Sequence, residues 1–258
     1  MIQGHIKQYI ESKTRDNFPR SLLIIGEKGC GKSEAIQLIS SKLKLVELDI
    51  TEQISLDYIM GMYEKPEPYL YVIDGTKITI KEQNMLLKIV EEPLKNAFIV
   101  IKCEASNQIL PTVYNWCQKL IFNPFTKEEL SEFCADPFIL ELAKTPGQIT
   151  AFKNSPIKDI IELCEKIIDK IGSANISNVL TIGDKLAFKQ EKDKFDVDIF
   201  SSILIYSLNK RIKQNSELKY LDLYKLIGQW NIDRKAPTVL QQNLFENYLV
   251  KMYQLMRG

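Results

Sequence analysis

The sequence holds a single histidine, His5, which leaves almost no material for a histidine-based triad or a metal centre built on several imidazoles. Its five cysteines, Cys30, Cys103, Cys117, Cys134 and Cys164, are odd in number and widely scattered, with no C-x-x-C pair. That excludes a zinc ribbon or a dithiol redox couple and leaves reduced thiols, mostly in cores, as the expectation. Charge of one sign is also missing: 34 Lys and Arg against 33 Asp and Glu give a net charge of +1. No global field pulls in nucleic acid or an anionic membrane, so any DNA contact has to be local. No apolar run approaches the roughly 18 residues of a membrane span. Residues 1–10 lack the apolar stretch of a signal peptide, so the expectation is a cytoplasmic chain with no membrane partner.

What is present is the composition of an ordinary globular protein, 45% hydrophobic and 26% charged, far from the regime of disordered chains. A length of 258 residues leaves room for two or three domains of the usual ~100–200 residues. There is no internal repeat and no low-complexity segment.

Apolar runs predict strands at Ser21–Ile25, 45–50, 69–73 and 97–101, with 118–122 as a further one. Helices are predicted over 34–43, where Ile36, Ile39 and Leu43 recur at helical spacing, and over Ile80–Glu91, ending before Pro93. Strands alternating with helices imply a three-layer α/β domain with a mostly parallel sheet. After residues 123–126 the strand signals fade. Thr126-x-x-Glu129 has the spacing of a capping box, short helices fit 127–135 and 137–144, and Thr145-Pro146-Gly147 punctuates the chain. Helices are then predicted at 157–171, 176–188, Val197–Asn215, 220–231 and 237–256, with the charged run KQEKDK (189–194) as a solvated link. In the last helix Val239, Leu240, Leu244, Tyr248, Leu249, Met252 and Leu255 fall near one face, as packing in a bundle requires.

The stretch GEKGCGKS, residues 26–33, lies between a buried strand and the start of a helix, where the G-x-x-x-x-G-K-[ST] phosphate loop belongs. Its glycines let successive N–H groups curl around a phosphate at a helix N-terminus, where the macrodipole also favours an anion. Gly26, Glu27, Lys28, Gly29, Cys30, Gly31, Lys32 and Ser33 are therefore the candidate nucleotide-binding residues. Lys32 is expected to reach the β- and γ-phosphates of ATP, with the Ser33 hydroxyl on Mg²⁺. A second carboxylate is needed from the end of a neighbouring apolar strand, and Tyr-Leu-Tyr-Val-Ile-Asp supplies Asp74. Ser33 and Asp74 are thus the candidate metal ligands. The residue after Asp74 is Gly75, which cannot act as a base or polarise water.

The segment VIDGTKITIKEQNMLLKIVEEPLKNAFIVIKCEASNQILPTVYNWCQ, residues 72–118, resembles the AAA+ subunits of DNA polymerase III clamp loaders of the delta-prime and gamma/tau type. Asn84, Leu86, Leu87, Lys88, Glu91, Glu92 and Pro93 match that family's N-x-L-L-K-x-x-E-E-P helix. Ile109-Leu110-Pro111-Thr112 followed by Cys117-Gln118 matches its I-L-P-T segment before S-R-C. Weaker matches are Gly4-His5, Pro124-Phe125 with Glu128-Glu129-Leu130, and Pro146-Gly147. The resemblance implies an α/β P-loop AAA+ domain over 1–124, a small helical lid over 125–155 and an all-α collar over 156–258. It implies ATP and Mg²⁺ as cofactors. The implied partners are other clamp-loader subunits in a hetero-oligomeric ring, a sliding clamp and primed DNA.

The departures from the family pattern all fall on turnover. Gly75 stands where active members carry the catalytic glutamate, Trp116 where the S-R-C arginine finger stands, and Gln148 near the place of the lid arginine. Cys103 and Glu104 fall near the polar sensor on the fourth strand. The zinc module that many relatives insert before the aspartate strand is missing, so the chain reads as a compact, zinc-less member. Lys77, Lys81 and Lys88, around the N-x-L-L-K helix, read as solvated surface lysines.

No catalytic residue is assigned. The reading is a clamp-loader subunit in DNA replication that binds ATP with weak or no hydrolysis at its own site. The alternatives are another AAA+ ring or helicase-loader subunit, or a P-loop nucleotide kinase. A kinase lid needs arginines to clamp the transferred phosphoryl group, and residues 125–155 contain none. Incubation with ATP and nucleoside monophosphates is therefore expected to yield no nucleoside diphosphate by chromatography.

Overall fold

Three apolar strands flanked by two more polar ones build the sheet. The computed structural model describes residues 2–62, 68–93, 97–171, 196–215, 218–233 and 241–257. The strands are β1 (Ser21–Ile25), β2 (Val46–Asp49), β3 (Tyr69–Asp74), β4 (Ala97–Cys103) and β5 (Gln118–Ile121), all parallel, in the order β2-β3-β4-β1-β5. β1 is buried at every position and β4 at all but Lys102, as expected for strands covered on both faces, which read as near-continuous apolar runs. Side chains alternate between two cores. Leu23, Tyr71, Ile73, Ile99 and Ile101 meet α3 (Leu56–Met62), α4 (Ile80–Glu91) and α5 (Pro111–Trp116) on one side. Leu22, Ile24, Leu70, Val72, Phe98 and Val100 meet α1 (Gly4–Glu11) and α2 (Lys32–Leu43) on the other. The expected three-layer α/β domain with a parallel sheet is what the chain forms.

Two compact units divide the chain. One comprises Met1–Ala135 with Lys144–Ile149, and the other Asp136–Ala143 with Thr150–Gly258. In the first, α4 starts on a capping box in which Thr79 accepts from the Glu82 backbone N–H and Glu82 accepts from the Thr79 backbone. The predicted box at Thr126 and Glu129 opens α6 (Lys127–Ser131) in the same way. α1, α3 and α5 are absent from the sequence-based expectation. Each is too short for its apolar spacing to rise above the background, α1 burying only Ile6 and Ile10.

The second unit is helical: α7 (Pro137–Leu142), α9 (Ile157–Lys170), α10 (Val197–Asn215), α11 (Leu218–Asp233) and α12 (Gln241–Arg257), with the C-terminal part of α8 (Pro146–Lys153). Phe200, Trp230 and Phe245 from α10, α11 and α12 pack edge-on or tilted around one another, with centroids 5.0–6.5 Å apart. Arg211 on α10 bridges Glu165 and Asp169, four residues apart on α9, at 2.7 Å each. Of the predicted stripe on the last helix, Tyr248, Leu249 and Met252 are buried, joined by Phe245 and Tyr253. The predicted helix at 176–188 and the link at 189–194 lie outside the described residues.

One buried amide ties α4 to the segment that leads into α5. Gln83, 4% exposed, donates to the Gln108 carbonyl at 2.9 Å and accepts from the Leu110 N–H at 2.7 Å. Its removal leaves both backbone groups without their partner in a site closed to water. Gln83→Ala is expected to lower stability by about 2 kcal/mol, read from the shift in urea midpoint at unchanged slope.

A candidate nucleotide-binding site

The loop at residues 26–33 takes its shape from two left-handed glycines. β1 ends at Ile25, and the Gly26 N–H donates to the Cys103 carbonyl at 3.2 Å, anchoring the loop's first residue to the end of β4. Gly29 (φ +82°) and Gly31 (φ +105°) then turn the chain into α2, whose first residue is Lys32. A helix N-terminus entered from such a loop is where backbone N–H groups and the macrodipole favour a phosphate. The Lys32 ammonium arches back over the loop and donates to the Gly26 and Glu27 carbonyls at 2.5 and 3.0 Å. Cys30 is buried beneath the loop, and burial raises its thiol pKa against the opposing pull of Lys32.

Asp74 stands at the end of β3, beside the loop strand's neighbour β4. In register, Lys102 of β4 lies between Asp74 and Ile24, on the sheet face covered by α1 and α2. Its ammonium is 3.7 Å from Asp74 Oδ2, and both side chains are about four-fifths buried, at 22% and 20% exposure. Asp74 Oδ1 accepts from the Thr76 N–H at 3.1 Å and from the Thr76 hydroxyl at 2.6 Å. The Asp74 N–H donates to the Thr51 hydroxyl, which donates in turn to Asp49. Burial works against ionisation of Asp49. The Thr51 hydroxyl and N–H, with Lys102 and Lys77 nearby, more than offset this and hold its carboxyl below the usual range.

A Mg²⁺ ion at Ser33 and Asp74 does not fit this donor set as it stands. One Asp74 oxygen closes the Thr76 turn and the other lies 3.7 Å from the Lys102 ammonium, whose charge repels a divalent cation. Among the described residues no cluster of three or more His, Cys, Asp or Glu is placed to hold a metal.

Gly75 faces a filled space. A Cβ built there would lie 2.5 Å from Ile109 Cδ1 and 3.2 Å from the Lys102 carbonyl, to which the Gly75 N–H donates at 2.8 Å. Trp116 ends α5 with more than half of its surface exposed. The Gln148 side chain turns back to accept from the Lys144 N–H at 2.7 Å. Cys103, next to the Asp74 and Lys32 charges, has its thiol pKa pushed up to about 11, chiefly by burial. The Glu104 N–H donates to the Gln108 side chain at 2.8 Å. All five cysteines are buried, and none of them forms a disulfide.

Two participants escape sequence reasoning. Lys102 is the one charge inside the apolar run AFIVIKC, and that interruption was the available signal. The other is the turn Thr145-Pro146-Gly147, which the sequence marks as punctuation and as a weak family match but not as a partner of the phosphate loop. Gly147 packs on Gly29 so closely that its Cβ would lie 2.5 Å from the Gly29 Cα. The Gly147 N–H donates to the Gly29 carbonyl at 3.0 Å, and the Thr145 hydroxyl to the Lys28 carbonyl at 2.8 Å. Pro146 does not end a helix but begins α8, where a missing N–H costs nothing.

A parallel β2-β3-β4-β1-β5 sheet, a phosphate loop after β1 and an aspartate ending β3 make this a P-loop α/β domain. Residues 67–126 match the family described as DNA polymerase III, delta subunit. Over 193 residues the chain is 28% identical to DNA polymerase III subunit delta' of Bacillus subtilis, an alignment covering 68% of this chain and 57% of that protein. The chain thus spans little more than half the length of that relative. Among solved structures, a DNA polymerase III gamma subunit-related protein of Thermotoga maritima aligns with 98% of this chain and 99% of its own, at 13% identity and TM-score 0.49. The Thermotoga maritima RuvB Holliday junction branch migration motor aligns with 96% of this chain and 87% of its own, at 15% identity and TM-score 0.48. The resemblance to delta-prime-type clamp-loader subunits, first read from the E-E-P and I-L-P-T segments, is borne out by the family match and the Bacillus relative.

The glycine pair allows a direct check of the loop's packing. Gly147→Ala forces backbone to move at both glycines and is expected to cost about 1–3 kcal/mol in thermal or urea denaturation. Ala substitution at Gly4, which has open space around it, serves as the control.

Proposed function

We propose that this chain is a clamp-loader subunit that holds ATP without turning it over efficiently. The observation that carries the reading is the pairing of an intact phosphate loop with a glycine, Gly75, directly after Asp74. Residues 26–33 keep the glycine turns, the helix N-terminus and the lysine of a phosphate cradle. Beside Asp74, the position from which a carboxylate would orient the attacking water is a glycine packed against Ile109. Trp116 has no cation to offer a neighbouring subunit's nucleotide, a contribution worth several orders of magnitude where an arginine supplies it. Gln148, bonded back to its own turn, offers the lid no positive charge.

In this reading residues 1–124 are the nucleotide-binding domain, 125–155 the lid and 156–258 the collar through which related chains assemble into a ring. The ring opens a sliding clamp and places it on primed DNA in the cytoplasm. No helix among the described residues is long and apolar enough to cross a membrane. Bound nucleotide acts here by favouring one arrangement of the subunit, through its different affinity for the alternatives, rather than by releasing the energy of hydrolysis.

Native mass spectrometry of the tagged protein recovered from its own cells tests the proposal. A complex with other clamp-loader chains that retains ATP or ADP supports it; recovery alone, or with a helicase, overturns it. Lys32→Ala is expected to reduce assembly. Intact assembly with complete loss of turnover would count against a pinning role. Gly75→Glu alone is expected to bring no ATPase activity, measured as phosphate release, because Trp116 and Gln148 still supply no cation to the transferring phosphoryl group.

A further inference from the structure

We infer that Lys102 is a built-in counter-cation for Asp74, so that nucleotide binds in this site with an affinity nearly independent of Mg²⁺. The inference deepens, and rests on, the nucleotide-holding reading.

A carboxylate at the end of β3 faces the same side of the sheet as the phosphate loop. Left bare, it would repel a triphosphate, and a divalent ion between the two normally converts that repulsion into attraction. In this chain the conversion is made within the protein. Lys102 is the register partner of Asp74 on the adjacent strand, with its ammonium 3.7 Å from Oδ2 and both groups largely withdrawn from solvent, where screening is weak. The other oxygen, Oδ1, is taken by two hydrogen bonds from Thr76. Asp74 thus presents a carboxylate of which one oxygen already accepts two hydrogen bonds and the other lies beside an ammonium.

The second cation of the site, Lys32, rests on the loop's own carbonyls, from which an entering phosphate can draw it. The Gly26 N–H donates to the Cys103 carbonyl and the Gly75 N–H to the Lys102 carbonyl, so the start of the loop and the end of β3 are both pinned to the last residues of β4. A nucleotide there meets two ammonium groups and a neutralised carboxylate. That arrangement serves binding, while it withholds the doubly charged ion that stabilises a transferring phosphoryl group.

The test is a fluorescence titration with N-methylanthraniloyl-ATP, in excess MgCl2 and in excess EDTA, on the wild-type chain and on Lys102→Gln. The wild-type dissociation constant is expected to change by less than about threefold between the two conditions. Lys102→Gln is expected to lose about tenfold or more in EDTA and to recover with MgCl2. A wild-type affinity that falls about tenfold in EDTA overturns the inference and leaves the holding reading intact. Absence of binding under all conditions overturns the holding reading and this inference with it.

A second measurement needs no nucleotide. On addition of MnCl2, the Gly75 and Thr76 amide resonances are expected to stay sharp in the wild type and to broaden selectively in Lys102→Gln. Equal broadening in both proteins would show that Lys102 does not guard the carboxylate, and would overturn the inference.

Discussion

The register of the parallel sheet is the constraint on which everything else in the first unit depends. β1, β3 and β4 run in the same direction and are paired without offset, so their C-terminal ends arrive together. From those ends come the phosphate loop, Asp74 and Lys102. A slip of one residue in β4 would turn Lys102 to the opposite face and present Cys103 to Asp74 instead. Burial on both faces forbids that slip, because it would bring the alternating apolar side chains of β4 into the wrong cores. The hydrophobic pattern of the strands therefore sets the electrostatics of the site.

Charge in the site is arranged for rest. Lys32 is satisfied by loop carbonyls, Asp74 by Lys102 and Thr76, and Asp49 by Thr51. Each of these three groups has a partner within the protein, which removes the cost of leaving it unpaired. A site built for turnover keeps a carboxylate and a metal position open and stores that cost until substrate arrives. Here the space next to Asp74 is filled with Ile109, and the thiols of Cys30 and Cys103 remain protonated and buried. The interlocked glycines at 29 and 147 hold the loop from the outside, so its shape is supported by residues more than a hundred positions along the chain.

The sequence alone determined the α/β class, the strands and their alternation with helices, because β1, β3 and the body of β4 are apolar runs bounded by breakers. It also determined the phosphate loop, whose glycines and lysine have one spacing that works, and the capping box at Thr126 and Glu129, a purely local pattern. It located Asp74 by its place at the end of an apolar strand, and the E-E-P and I-L-P-T segments by their fixed separation. The short helices α1, α3 and α5 stayed below the threshold of periodicity. Only the tertiary structure decided that Lys102 faces Asp74, that Ile109 fills the space at Gly75 and that Gly147 interlocks with Gly29. Those pairings join residues 28, 34 and 118 positions apart on the chain. No local pattern specifies them, since they exist only once strand register and core packing have brought the two backbones together.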